Sequence, residues 1–341
     1  MRVPRWSLAV LGVAVLVAAA DIGVLVATRD GSGPAVPVAA RTGDDVAVID
    51  PVSRTVVDRV RVGAMPTTVV AGAGGVWVLN RGDGTLSHIE AHTHRVARTV
   101  EPDTTANDIA LGAGGLWLAG RPRDALSHPL EFAELERLDP GTGDVERRLA
   151  TSTGATSLVA AGDALWSSGY LGNHVRGAAR SDARTGAMRQ VAIGIYGDLI
   201  TAGSGAVYWV TSSGNRIARV SLGSGLMTAQ LPLSTDASLA AGLVPPSPTD
   251  VAVGAGSVWV STSGGTVLRV DPKLTGVQAT IPACSSALAL SYGEGALWVA
   301  CGNNSVVRVD TSTDLAGPAI PVGRLPRGIA AGDGAVWVTL N

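Results

Sequence analysis

Six polar side chains have the types and positions best suited to chemistry. They are Asp108, His128, Glu131, Tyr170, His174 and Asp250. Imidazole and carboxylate groups act as general acids and bases, and they are also common zinc ligands. Their spacing follows no metal-binding pattern, which favours loop side chains that contact a ligand over a metal centre. We therefore treat all six as candidate ligand contacts, and we assign no metal, no catalytic residue and no cofactor.

The two cysteines, Cys284 and Cys301, are the second set of residues suited to chemistry, either as a disulfide or as a thiol nucleophile. They lie at the outer ends of two predicted strands that meet at the turn Gly293–Gly295, so a hairpin would bring them almost face to face. In an exported chain this arrangement favours a disulfide. A thiol nucleophile is less favoured, because no histidine follows His174.

A repeated motif sets the framework that must position these residues. The segment AGAGGVWV at Ala71–Val78 returns in six further variants, with tryptophans at Trp77, Trp117, Trp166, Trp209, Trp259, Trp298 and Trp337. In the fourth copy, Tyr208 occupies the tryptophan position when residues are counted from Gly203. Each copy contains four short stretches of alternating hydrophobicity separated by Gly, Asp and Pro. Such a repeat, about 40 residues long, predicts an all-β, seven-bladed β-propeller.

The two ends of the chain predict how the ring closes. After Trp337 only four residues remain, so the last copy lacks its two outer strands. Residues 46–62 supply an unassigned pair of strands, and Asp50 precedes Trp77 by 27 residues, as Asp271 precedes Trp298. We therefore expect the strands in 46–62 to complete the last blade beside those in 328–341. Such closure removes exposed sheet edges, and the propeller spans residues 44–341.

Long intervals between tryptophans locate insertions at residues 121–136, 168–177 and 234–248. The first two would join a second strand to a third strand, and the last would join two blades. Both connection types emerge on one face of an up-and-down propeller, so the insertions predict a ligand-binding face. Asp108 and Asp250 begin innermost strands near the mouth of the channel on that face.

The repeated tryptophans and turn aspartates are interpreted as structural. One tryptophan at the same place in every blade should pack between neighbouring blades, since it buries a large apolar area. Asp50, Asp139, Asp271 and Asp310 open turns, and their carboxylates should accept hydrogen bonds from turn amides.

Charge and the N-terminal segment bear on partners and location. With 26 basic and 28 acidic residues and no long basic run, nucleic acid is not an expected partner. Residues 8–27 are apolar except for Asp21 and follow Arg2 and Arg5, which predicts export of the chain beyond them.

Two interpretations of residues 1–28 stay open. A signal anchor would span the membrane through residues 8–27, and a signal peptide would be cleaved after Ala18–Ala20. Asp21 opposes the anchor, whereas cleavage would leave an apolar stretch exposed at the new N-terminus. We favour the anchor, with the propeller outside the cell membrane behind a Gly/Pro/Ala linker at residues 29–43. Secretion after cleavage is the alternative.

The motif P-x-x-(V/I)-A-x-G-x-G-x-(V/L)-W-V, followed by T-(V/L)-x-R-(V/I)-D-P, is clearest at Pro248–Pro272 and Pro326–Val338. It resembles the virginiamycin B lyase-like and YVTN/NHL-type propellers over about Asp44–Asn341, in the exported form found in actinobacteria. The resemblance implies a sensor or accessory domain behind one membrane segment. It also implies a lyase that uses a divalent metal and His/Glu residues of late blades. Here no histidine follows His174, so those active residues have no matching positions.

These observations favour a non-enzymatic exported propeller that binds a peptide, glycan or protein of the cell envelope on the insertion-bearing face. One alternative is a metal-dependent lyase of the virginiamycin B type, or a hydrolase that uses His128, His174 and nearby carboxylates. A third interpretation is a purely structural interaction module of the cell surface.

Overall fold

The computed structural model describes residues 44–72, 75–123, 133–151, 153–171, 176–191, 199–211, 215–233 and 246–341. All of these belong to the second of the two units into which the chain divides, Ala39–Asn341. Within the described ranges, no helix has the length and apolar character needed to cross a membrane. The predicted membrane segment at 8–27 and the linker at 29–43 lie outside these ranges.

Seven four-stranded sheets contain 28 antiparallel strands, numbered in chain order. Blade 1 consists of β3 (Pro66–Gly72), β4 (Gly75–Asn80), β5 (Thr85–Glu90) and β6 (Arg95–Val100). Blade 2 consists of β7 (Thr104–Gly112), β8 (Gly115–Pro122), β9 (Ala133–Leu138) and β10 (Val145–Thr151). Blade 3 consists of β11 (Thr153–Ala161), β12 (Ala164–Leu171), β13 (Arg176–Asp182) and β14 (Met188–Val191).

Blade 4 consists of β15 (Leu199–Gly203), β16 (Ala206–Thr211), β17 (Arg216–Ser221) and β18 (Met227–Pro232). Blade 5 consists of β19 (Pro248–Gly254), β20 (Ser257–Thr262), β21 (Thr266–Val270) and β22 (Val277–Pro282). Blade 6 consists of β23 (Ala287–Gly293), β24 (Ala296–Cys301), β25 (Ser305–Asp310) and β26 (Leu315–Pro321). Blade 7 consists of β27 (Pro326–Gly332), β28 (Ala335–Leu340), β1 (Asp45–Asp50) and β2 (Thr55–Arg61).

The first strands of successive blades contact one another around the ring, which closes in blade 7. The order of strands in that blade is β2-β1-β28-β27, so the two chain ends share one sheet. Val48 stands opposite Trp337, and Asp45 stands opposite Leu340. The seven-bladed fold and its closure by the N-terminal strands are therefore confirmed.

The tryptophans form the core between blades. All seven are essentially inaccessible to solvent. Trp298 of blade 6 packs with Ile329 of blade 7, and Trp337 of blade 7 packs with Val69 of blade 1. Burial of each such side chain contributes on the order of 3–5 kcal/mol, which confirms the structural interpretation.

Blade 4 varies this arrangement. Tyr208 stands opposite Thr201 and Arg219, the register that Trp259 of blade 5 occupies opposite Ala252 and Arg269. The Tyr208 hydroxyl donates a hydrogen bond of 2.8 Å to the carbonyl oxygen of Pro272. The tyrosine thus replaces tryptophan at this position.

The predicted insertions at 121–136 and 234–248 contain connections between strands, although the ends of the first belong to β8 and β9, and the third prediction is corrected. Residues 123–132 connect β8 to β9, and residues 233–247 connect β18 to β19. The predicted insertion at 168–177 is wrong as a loop, because only residues 172–175 connect β12 to β13. Gly169 pairs with Gly177 and Tyr170 with Arg176, so the extra residues lengthen the hairpin and keep its backbone hydrogen-bonded.

The strand order defines two faces of the ring. The insertion face is the side where residues 123–132, 192–198 and 233–247 join their strands. Residues 192–198, between β14 and β15, were not predicted as an insertion. The turn face is the opposite side, where first strands meet second strands and third strands meet fourth strands, as at residues 51–54 and 271–276.

Candidate functional site

The structure describes two of the six candidate ligand contacts in full, Asp108 and Asp250. His128, Glu131 and His174 lie outside the described residues, and Tyr170 is described only as a backbone position in β12. The enzymatic alternative depends on His128 and His174, so it stays a prediction.

Asp108 and Asp250 occupy equivalent positions at the insertion-face ends of β7 and β19. A β-bulge precedes each aspartate, between Ala106 and Asp108 and between Pro248 and Asp250. Bulges re-aim the side chains that follow them and are frequent beside functional sites. The same irregularity occurs in the first strands of blades 1, 3, 6 and 7, so it belongs to the repeat and places both aspartates alike.

Each of these carboxylates joins its blade to the next. Asp108 Oδ2 accepts a hydrogen bond of 2.8 Å from the amide of Leu158 in blade 3. Asp250 Oδ2 accepts one of 2.7 Å from the amide of Leu290 in blade 6. In both residues Oδ1 accepts from the amide of the following residue. The side chains thus bridge adjacent first strands at the channel.

Burial changes the acid–base behaviour of both groups. Desolvation raises the pKa of Asp108 to about 7 and that of Asp250 to about 6, although the amide hydrogen bonds oppose the rise. The negative charge of Asp250 makes a further, smaller contribution to the raised pKa of Asp108. Near neutral pH this pair can hold a proton or attract a cationic group.

A second acidic cluster in blade 2 was not singled out from the sequence. The Thr104 hydroxyl lies within hydrogen-bond distance of a carboxylate oxygen of both Glu134 and Glu136. Glu136 is fully buried, and burial, reinforced by the charge of Glu134, raises its pKa. The sequence did hold a signal, since residues two apart on a strand share a face and Glu134 and Glu136 are so spaced on β9.

The turn face carries carboxylates of a different kind. Asp50 Oδ1 accepts hydrogen bonds of 3.0 and 2.5 Å from the amides of Val52 and Ser53, and these bonds lower its pKa. The same turn occurs at Asp139, Asp182, Asp271 and Asp310. The predicted structural role is confirmed, and Asp182 is a fifth example that the sequence analysis missed.

A disulfide joins Cys284 to Cys301, with a distance of 6.2 Å between their Cα atoms. Cys301 ends β24 opposite Ala287, while Cys284 lies in the connection from blade 5. The bond therefore fastens this connection to blade 6 on the insertion face. Closing a loop of this length contributes about 3 kcal/mol.

No described group of three or more His, Cys, Asp or Glu side chains is arranged to hold a metal ion. The divalent metal of the virginiamycin B lyase type also finds no histidine donor in blades 5 to 7, whose sequence contains none. The residues of these blades do not fit that group, and we derive no reaction step through it.

No protein-family model matches the chain, and no curated protein matches it. Among solved structures it resembles the β-propeller domain of Cps50 (Swd1) from Myceliophteria thermophila, with a TM-score of 0.61 and 9% identity over 82% of this chain and 97% of that one. It also resembles the WD40 β-propeller domain of Doa1, with a TM-score of 0.57 and 12% identity over 81% and 89%.

The computationally designed protein Ika8 is a third match, with a TM-score of 0.57 and 11% identity over 84% of this chain and 87% of that one. At these identities the likeness concerns the fold alone. The chain is a seven-bladed β-propeller, and WD40 propellers are among its structural neighbours. This fold is compatible with a protein-interaction scaffold.

Proposed function

We propose that this protein is an exported, membrane-anchored propeller that binds a partner of the cell envelope on its insertion face and catalyses no reaction. The partner is a peptide, glycan or protein. A peptide or protein is favoured, because the structural neighbours include a WD40 propeller domain. Virginiamycin B lyase-like and YVTN/NHL-type propellers are the proposed relatives.

The main support for this proposal is that the two faces differ in the length of their connections. Described turn-face connections are short and bond their own amides, as at Asp50 and Asp310. The longer connections, 123–132 and 233–247, join strands on the insertion face, where Asp108 and Asp250 also lie. Loops held by a rigid scaffold are the usual place for binding residues.

Export is supported by two independent features. The Cys284–Cys301 disulfide suits an oxidising compartment, in which such bonds persist. Residues 8–27 have the apolar composition of a membrane anchor and follow two arginines. The anchored form is proposed, and secretion after cleavage is the alternative.

Lys273 allows a direct test of location, because it is the only lysine and it is exposed. A membrane-impermeant amine reagent applied to intact cells should label the full-length protein at Lys273. A K273R variant is the matched control and should lose this label. Labelling of Lys273 only after cell lysis would contradict export, and recovery of the labelled protein from the medium would identify the secreted form.

Capture from cell-envelope extract tests the binding face. In one full-length variant, residues 233–247 are replaced by the short connection Val322–Leu325, and capture of the partner should be lost. The control variant L226S/M227S removes two exposed apolar side chains at the turn face and should capture normally. Capture that survives the first change and fails in the second would place the binding surface on the turn face instead.

A further inference from the structure

Three side-chain oxygens meet where β7 and β9 reach the insertion face of blade 2. The Thr104 hydroxyl lies 2.7 Å from Glu136 Oε2 and also contacts Glu134 Oε1. Thr104 and Glu136 are completely buried, while Glu134 is half-buried and keeps one side of the group open to solvent. The second carboxylate oxygen of Glu136 is buried and has no hydrogen-bond partner.

A glycine in the intervening strand makes this meeting possible. Gly120 of β8 pairs with Ala106 on one side and with Glu134 on the other. A Cβ atom at this position would lie 2.8 Å from Thr104 Cγ2 and 2.2 Å from the backbone oxygen of Thr105. Because the side chain is missing, Thr104 reaches across β8 to the carboxylates of β9.

The cluster of Thr104, Glu134 and Glu136 has fewer hydrogen-bond donors than acceptors. A threonine hydroxyl has one hydrogen to donate, and ionised carboxylates only accept. The hydroxyl hydrogen of Thr104 can therefore reach either Glu134 or Glu136 at one time. The Thr104 backbone also interacts with Glu136, but Glu136 Oε1 has no hydrogen-bond partner. Buried carboxylate oxygens without a donor or a cation are costly.

Neighbouring arginines supply only part of the positive charge that these carboxylates need. Arg148 Nε lies 3.7 Å from Glu136 Oε2, but the same guanidinium contacts Asp103. Arg123 pairs with Glu101 at 3.0 Å and donates to the backbone oxygens of Pro102 and Gly84. Glu101, Asp103, Glu134 and Glu136 thus share two arginines, and the group keeps an excess of negative charge.

We propose that Thr104, Glu134 and Glu136 bind one hard divalent cation of the calcium type. Carboxylate and hydroxyl oxygens are ligands that Ca2+ accepts in flexible geometries, with water filling the remaining positions from the open side at Glu134. The cation would bond the unpartnered oxygen of Glu136 and balance both carboxylates. This proposal does not depend on the partner-binding function.

The chemistry of the group narrows the choice of ion. It offers oxygen donors alone, whereas zinc and copper prefer nitrogen and sulfur ligands. Carboxylates bind a cation in their ionised form, so binding should strengthen as pH rises. The site lies at the root of the connection 123–132, where a bound cation would tie the first strand of blade 2 to the third.

Equilibrium dialysis and thermal melting of the full-length protein at about pH 7.5 test the site. With Ca2+ at about 1 mM, in the range of weak extracellular sites, we expect one ion per chain and a higher melting temperature than with chelator. E136Q and E134Q should each weaken Ca2+ binding by at least about tenfold and abolish the rise in melting temperature. Mg2+ in a parallel arm should bind more weakly.

D139N is the matched control, since it removes an exposed carboxylate on the turn face of the same blade and should leave Ca2+ binding unchanged. E136Q should remain folded, because it replaces a buried charge by a neutral amide. Its melting temperature in chelator should equal or exceed that of the parent. Absence of bound Ca2+ in the parent, or equal binding by E136Q, would overturn the proposal and leave a proton as the group that balances the cluster.

Discussion

Carboxylates on the two faces of the propeller differ in their hydrogen bonding and in the direction of their pKa shifts. On the turn face, Asp310 is partly exposed and accepts hydrogen bonds from Ser312 and Thr313, which lower its pKa to about 2. On the insertion face, desolvation raises the pKa of Asp108 to about 7. An aspartate of the turn face is therefore ionised above about pH 2, whereas Asp108 on the insertion face gains or loses its proton near neutral pH.

The direction of the pKa shift separates structural carboxylates from candidate functional ones, and this distinction needs no comparison with related proteins. A turn aspartate is held by its own loop, and its hydrogen bonds repeat in five turns, from Asp50 to Asp310. Asp108 and Asp250 share one kind of environment in two blades, Glu136 occupies another, and burial disfavours the charge of all three. Strongly perturbed acids in a cleft are candidates for binding sites.

Glycine substitutions give the largest expected contrast between the faces. A Cβ at Gly120 would lie 2.2 Å from a backbone oxygen, whereas at Gly276 of the turn face it would meet nothing within 4 Å. G120A should therefore lower the free energy of unfolding by about 3 kcal/mol, since β7 and β8 must separate. G276A should change it by less than about 0.5 kcal/mol. Urea denaturation of both variants measures the contrast.

Equal stability of G120A and the parent would show that the strands of blade 2 can move apart freely. It would also remove the steric basis for the contact between Thr104 and the two glutamates. A large loss in G276A would show that the turn at 271–276 depends on its glycine for reasons other than space.

Most of the fold was predictable because each blade repeats the same local rules. The glycine turn and the tryptophan recur in register, so even the substitution of Tyr208 could be read from the sequence. The spacing from Asp50 to Trp77 predicted the closure of the ring for the same reason. The disulfide followed from the symmetric distances of Cys284 and Cys301 from a glycine turn.

The parts that were missed are those without a repeat. Extra residues at 168–177 lengthen a hairpin, because continued pairing satisfies more backbone groups than a loop does. The cluster of Thr104, Glu134 and Glu136 depends on a contact across Gly120, which joins residues some 30 positions apart. The spacing of Glu134 and Glu136 indicates only that they share a face of β9, and nothing in the sequence signals that Thr104 reaches them.

Replacing the channel aspartates should change how stability depends on pH. The pKa values of Asp108 and Asp250 are raised above the usual value near 4, so the folded protein binds protons that the unfolded chain has released. Stability should therefore fall as pH rises from about 4 to about 7. Because both side chains are partly exposed, we expect a total loss on the order of 2 kcal/mol.

The double variant D108N/D250N should lose this dependence on pH. Each asparagine keeps only one acceptor for two amides, so the variant is also less stable at pH 5, and the slope is the informative quantity. Urea midpoints at intervals of pH between 4 and 8 measure it. Parallel slopes for parent and variant would mean that these two carboxylates are ionised in the folded protein throughout this range.

The turn-face aspartates should produce the smallest effect and one of opposite sign. Their hydrogen bonds lower the pKa of Asp310 to about 2 and also lower that of Asp50, so the folded protein releases protons that the unfolded chain still binds. Their contribution is present above about pH 4 and is lost as pH falls towards 2.

In the variant D50N/D310N this loss of stability at acid pH should shrink, while the decline in stability between pH 4 and 7 stays as in the parent. Urea midpoints from pH 2 to 5 test this, and an unchanged acid-side slope would contradict a separate role for the two faces. If both slopes change together, the carboxylates of the two faces act through one shared electrostatic field, and the contrast between them is not local.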